Sequence, residues 1–94
     1  MDMHESKDRF YLGSDPQKPD AQLDHTIDQS VMTLWHTEVQ DVLKGQGAGS
    51  ALVAYAVEVA RKNGLKIRPA CAYALAQFQK KPEYADVWLK EASS

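Results

Sequence analysis

Between Ala21 and Ile27 apolar and polar positions alternate. Ala21, Leu23, His25 and Ile27 fall on one face, and Gln22, Asp24 and Thr26 on the other. A period of two predicts a strand with one wet face. Asp28-Gln29-Ser30 predicts a turn, and Val31–Val39 then forms the strongest strand candidate in the chain. Its start is apolar on both faces and dense in β-branched and aromatic residues, which places it centrally in a sheet. Upstream, Arg9–Leu12 is a short strand candidate closed by Gly13–Pro19, a run rich in loop formers. Residues 1–8 are polar and are expected to form a tail outside a single domain spanning 9–94.

Further along, the period lengthens. Leu52, Val53, Ala56, Val57 and Ala60 make one apolar stripe at helical spacing, with Glu58, Arg61 and Lys62 opposite, which predicts a helix between Gly49 and Asn63. Asn63-Gly64 supplies a left-handed cap, and Arg61 and Lys62 suit the negative end of the helix. Leu65–Arg68 predicts a short strand. Strand, helix, strand in that order implies a right-handed crossover and a parallel pair. A second helix is expected from about Ala72 to Lys81, with Leu75 and Phe78 inward and Pro82 ending it. Tyr84, Val87 and Trp88 then suggest a final helical turn. The sum is an α+β fold of order ββ(β)αβα: an antiparallel meander extended by one parallel strand, with two main helices.

Composition narrows the function classes. Ninety-four residues make one small domain, and 11 basic against 13 acidic residues give a formal charge of −2. That balance speaks against a nucleic-acid binder relying on a basic surface. No apolar run reaches the ~20 residues of a bilayer span, so no membrane partner is expected. The single cysteine, Cys71, cannot close an internal disulfide, and the polar N-terminus lacks the apolar stretch of a signal peptide. A reducing, cytoplasmic setting follows as the expectation. His4 and His25 share no ligand spacing with Cys71, so no metal site is expected.

The most informative segment is Val42–Ser50, between the central strand and the first long helix, where Gly45, Gly47 and Gly49 alternate. Residues without a Cβ let the backbone take positive φ and let an anion approach the amides. Successive amides at a helix start form a partially positive nest suited to pyrophosphate, to which Lys44 and Ser50 can add contacts. A flexible loop that merely ends a strand is the plainer alternative. Two named phosphate motifs fail on spacing: no Gly-Lys-Ser/Thr closes a Walker loop, and Gly-x-Gly-x-Gly is not the dinucleotide Gly-x-Gly-x-x-Gly.

Lys44-Gly45-Gln46-Gly47-Ala48-Gly49 resembles the acetyl-coenzyme A signature Gln/Arg-x-x-Gly-x-Gly/Ala of the GNAT superfamily of N-acetyltransferases, with lysine in the first place. His36–Val39 before the loop, and Pro69–Tyr73 and Lys81–Tyr84 after it, resemble the short, compact GNAT-like subfamily of acyl-coenzyme A-binding proteins. The similarity covers roughly residues 9–89. It implies an abbreviated GNAT fold with acetyl-coenzyme A as cosubstrate and an amine or thiol as acceptor. It further implies that the backbone of Thr37, Glu38 and Val39 pairs with the pantetheine amides. The amides of Lys44, Gly45, Gln46, Gly47, Ala48, Gly49 and Ser50 would then hold the pyrophosphate. Cys71 takes the place of the asparagine many members carry at the start of the last helix. Phe78 falls where their proton-donating tyrosine lies, leaving Tyr73 or Tyr84 as substitutes.

Three side chains carry the candidate chemistry. Amide donors and the dipole at a helix start favour the thiolate of a cysteine placed there, so Cys71 is a candidate acyl-accepting nucleophile; a buried, inert space-filler is its alternative. Glu38 and His36, two apart on one strand, share a face and are candidate general bases. Their alternative is a strand-end pair bonded to loop amides. Two functions remain open: an acetyl-coenzyme A-dependent transferase, possible through Cys71, and a non-catalytic acyl-coenzyme A-binding or sensing module.

Overall fold

The computed structural model describes residues 2–90. Five strands form one sheet in sequence order: β1 (Met3–Ser6), β2 (Arg9–Leu12), β3 (Ala21–Asp28), β4 (Val31–Val39) and β5 (Lys66–Pro69). The first four pair antiparallel, and β5 joins β4 in parallel after the crossover helix α1 (Ala48–Asn63). Helix α2 (Ala72–Lys80) and a 3₁₀ turn over Pro82–Val87 complete the described chain. The expected α+β meander with one parallel strand is therefore the fold. Met1 of the expected tail and residues 91–94 of the expected domain lie outside the described residues.

The helices cover one face of the sheet. Phe10, Leu12, Leu23, Met32, Leu34 and Ile67 project from the strands to meet Leu52, Val53, Ala56, Val57 and Ala60 of α1, all of them buried. Helix α1 ends as Asn63-Gly64 foretells. Gly64 is left-handed (φ 67°) and the Leu65 amide reaches back to the Ala60 carbonyl at 2.8 Å. The β3–β4 hairpin turns on Gln29 and Ser30, both at positive φ, as a two-residue hairpin demands.

Three expectations need correction. Residues 3–6 are not a tail: they form β1, paired with β2 in the register Met3↔Leu12 to Ser6↔Arg9, and His4 stacks on Tyr11 with ring centroids 5.2 Å apart. Ile27 is 52% exposed, because β3 outruns β2, whose pairing ends at Arg9↔Asp24. Leu75 is also exposed. The inward stripe of α2 is Ala74, Gln77 and Phe78, at i, i+3 and i+4, which turns Leu75 to the rim.

The central strand is irregular at one point. The β3–β4 register slips at Asp24/His25: Asp24 faces His36, but His25 faces Leu34, leaving Trp35 as an extra residue on β4. Such a bulge resets the alternation of the strand. Leu34 and Thr37, three apart, therefore both lie on the helix side, while Trp35, His36 and Glu38 are exposed.

Candidate active site

Strand β5 ends at Pro69, level with Leu34, and the Ala70 and Cys71 amides both bond the Leu34 carbonyl at 3.0 Å. Beyond this point β4 continues to Val39 with only β3 beside it. The Gln40 amide bonds the Asp20 carbonyl on the β3 side at 2.9 Å, which sets the phase of the ladder. Even-numbered residues 36 and 38 thus pair with β3, and the backbone groups of Thr37 and Val39 turn to the open edge. The extended edge is a set of donors and acceptors waiting for an extended partner.

Next to this edge, Asp41–Leu43 forms a 3₁₀ turn, and the chain enters α1 through Gly47, whose φ of 75° only glycine adopts without strain. The first α-helical bond runs from the Ala51 amide to the Gly47 carbonyl at 2.9 Å. The amides of Ala48, Gly49 and Ser50 precede it and form the positive end of a 16-residue helix. A cavity of about 290 Å³ lies between this helix start and the open edge, walled by Thr37, Val39, Leu43, Lys44, Gly45, Gly47, Ala48, Gly49 and Tyr73. Its shape is that of a groove running from the glycine turn along a free strand edge.

Most loop residues expected in a binding site meet here. Lys44 lines the cavity, with its ammonium held by Asp41 at 2.8 Å. Gln46 does not line it; its side chain closes the turn by donating to the Val42 carbonyl at 3.1 Å. Ser50 sits behind the wall, with Oγ 3.2 Å from the Tyr73 hydroxyl.

Cys71 caps α2. Its Sγ accepts from the Ala74 amide at 3.4 Å and lies 3.4 Å from Thr37 Oγ1, so the thiol stands at the end of β5, beside the cavity wall. His36 and Glu38 do share a face, with Nε2 to Oε1 3.3 Å apart, but the bulge puts that face opposite Thr37 and the cavity. Glu38 also accepts from Gln40 Nε2 at 2.9 Å and borders a separate depression beside Asp20 and Gln22. The site therefore divides: the thiol lies on the helix side, the carboxylate and imidazole on the open side. Phe78 is buried against Tyr84 and Trp88, with centroids 5.4 and 5.7 Å away, and belongs to the core. Tyr73 is the wall residue that spacing alone does not assign. Its signal is its place two residues beyond Cys71, in the first turn of α2.

The site thus joins the start of α1 to a parallel strand pair whose second strand stops short at Pro69. A GCN5-related N-acetyltransferase family model matches residues 9–87, and the chain belongs to that family. A GCN5-like putative N-acetyltransferase from Staphylococcus aureus shares 34% identity over 97% of this chain and 90% of its own, with a TM-score of 0.79. The ribosomal-protein-S18-alanine N-acetyltransferase of Escherichia coli shares the fold at 22% identity (TM-score 0.60). It matches 82% of this chain but only 53% of its own length. A putative acetyltransferase from Agrobacterium tumefaciens behaves alike, at 23% identity, 77% and 55% coverage and a TM-score of 0.58. No curated protein matches the chain significantly. Among the described residues no helix is long and apolar enough to cross a membrane, and no three His, Cys, Asp or Glu side chains cluster as metal ligands do.

Proposed function

We propose that this protein binds acetyl-coenzyme A in the groove and transfers its acetyl group to an amine or thiol acceptor, with Cys71 as the first acceptor. The carrying observation is that the open edge of Thr37 and Val39 and the glycine turn meet around one cavity, with the Cys71 thiol 3.4 Å behind its wall residue Thr37. The pyrophosphate belongs on the amides of residues 44–50, and the pantetheine amides pair with the β4 edge. This lays the thioester toward the end of β5. There the Cys71 sulfur attacks the thioester carbonyl. A new carbon–sulfur bond forms, the bond to coenzyme A breaks, and the released thiolate takes up a proton. An acceptor then displaces Cys71, and its proton passes to the departing Cys71 sulfur. A cytoplasmic location fits a protein drawing on the coenzyme A pool.

The division of the site favours a second function, a non-catalytic acyl-coenzyme A-binding module. Sγ already serves as the cap of α2, and the two bases stand across the sheet from the cavity. Intact-mass measurement after incubation with acetyl-coenzyme A separates the two. One added acetyl group, absent from Cys71→Ser, supports transfer. Saturable cofactor binding with unchanged mass, and no coenzyme A released with any amine offered, leaves the binding module.

A further inference from the structure

Strand β3 is bare along part of its β2 side. Pairing with β2 ends at Arg9↔Asp24, the last tie is the His25 amide on the Asp8 carbonyl at 3.0 Å, and β3 runs on to Asp28. The two-residue turn at Gln29 and Ser30 makes Asp28↔Val31 a hydrogen-bonded pair. The backbone groups of Asp28 and Thr26 thus turn to β4, and those of Ile27 turn to the other side. Among the described residues no strand stands level with Ile27 there.

A cavity of about 300 Å³ lies at this place, walled by Lys7, Asp8, His25, Thr26 and Ile27. Successive side chains of a strand point to opposite faces, so a cavity walled by His25, Thr26 and Ile27 together wraps the edge of β3 itself. His25 is 3% exposed, yet its Nδ1 has no hydrogen-bond partner among the described residues. A buried polar atom without a partner is uncommon, and a neutral imidazole nitrogen can meet either half of an amide. Ile27 adds a half-exposed apolar side chain, and Lys7 is the one lysine or arginine on the wall.

We propose that the bare edge of β3 at Ile27 is a second ligand site, which takes the C-terminal end of an extended peptide with an apolar last residue. The direction follows from the sheet. A chain antiparallel to β3, as β2 and β4 are, continues the line of β2 and runs toward the Lys7-Asp8 turn. That turn blocks further travel, so the chain ends there, with its carboxylate beside the Lys7 ammonium. Ile27 pairs one peptide unit through its backbone and packs on the apolar side chain, and His25 Nδ1 bonds the same stretch of chain. Asp8 shares the carboxylate end and opposes it, which gives the test a sign. The site has no wall residue in common with the groove and stands without the cofactor assignment.

The test is NMR titration of the isotope-labelled full chain with N-acetylalanylleucine and with the same dipeptide capped as its C-terminal amide. Saturable shifts are expected at the amides of Lys7, Asp8, His25 and Ile27, with the glycine turn unmoved. Capping the carboxylate should weaken binding about two- to fivefold, and Lys7→Gln should abolish that difference between the probes. Asp8→Asn, which removes the opposing charge, should strengthen the uncapped probe about twofold. His25→Phe keeps a ring on Phe10 and loses Nδ1, so it should weaken both probes about two- to tenfold. If His25→Phe does not fold, Ile27→Pro, which removes an outward N–H from a bare edge, must weaken both probes instead. The proposal is overturned if neither probe gives saturable shifts by about 10 mM, or if the shifts fall on the groove. It is overturned equally if Lys7→Gln strengthens and Asp8→Asn weakens binding, which marks a cation at that end, or if neither His25→Phe nor Ile27→Pro changes it.

Discussion

Gly47 and Gly49 stand two apart in one loop, yet the structure requires a glycine at each for a different reason, and alanine at each should separate stability from binding. At Gly47 the added Cβ meets nothing within 4 Å, but φ is 75°. An L-residue held in that region costs about 1–2 kcal/mol. In a domain of this size that lowers the thermal midpoint by about 5–15 °C. At Gly49 the backbone is ordinary helix, and alanine gains up to about 1 kcal/mol in propensity. Its Cβ, however, lies 2.8 Å from the Tyr73 ring, which must swing aside. The ring is 39% exposed and free to move outward, so the losses are its two hydrogen bonds, at about 1 kcal/mol each. The net change in stability is within about 1–2 kcal/mol. The displaced ring is a wall of the groove, so coenzyme A affinity should fall at least about tenfold. Thermal unfolding and calorimetric titration of both variants check this. Gly49→Ala binding coenzyme A as wild type does would refute the reasoning.

His25 is 3% exposed and stacked on Phe10 with centroids 4.1 Å apart; burial lowers its pKa below 6.5, against smaller opposing pulls from the Leu23 backbone, Asp8, Glu5 and Asp24. The unfolded chain therefore takes up the proton first, so stability is full above that pH and declines as pH falls toward the folded value, and urea midpoints of His25→Leu should lose this slope. Phe78→Ala empties a site bordered by Tyr84 and Trp88 and should cost about 3–5 kcal/mol, a large part of a small domain's total, as read by chemical denaturation. Arg61 joins α1 to the 3₁₀ turn through Asp86 and the Glu83 carbonyl, with Glu58 bracing it within α1, and it holds the Asp86 carboxyl below its ordinary range. Arg61→Ala should lower the thermal midpoint and flatten its dependence on salt.

How much of the molecule can be foreseen from the chain depends on how far apart the interacting residues lie. The stripe of α1, its Gly64 cap and the alternation of β3 as far as His25 are local patterns, and all three appear as expected. Strand β1 has no such pattern. Met3–Ser6 has no sustained apolar alternation and is a strand only because β2 offers it a partner, so its residues read as a tail. Leu75 reads as inward because an apolar residue outranks Gln77, whose burial is justified by Tyr73 rather than by its own chemistry. That His36 and Glu38 share a face is legible from period two; which face it is is not. The extra residue at Trp35 decides that, and it exists only as a mismatch in register against His25 and Asp24. Without it the helix-side phase of Met32 and Leu34 would continue to residues 36 and 38. Glu38 would then point into the cavity, and Thr37 would lie on the open face. Cys71 would lose its neighbour, and the free backbone groups at the edge would belong to 36 and 38. The bulge thus selects both the side chains that touch the groove and the backbone atoms that line it, and it keeps a charged pair out of the groove.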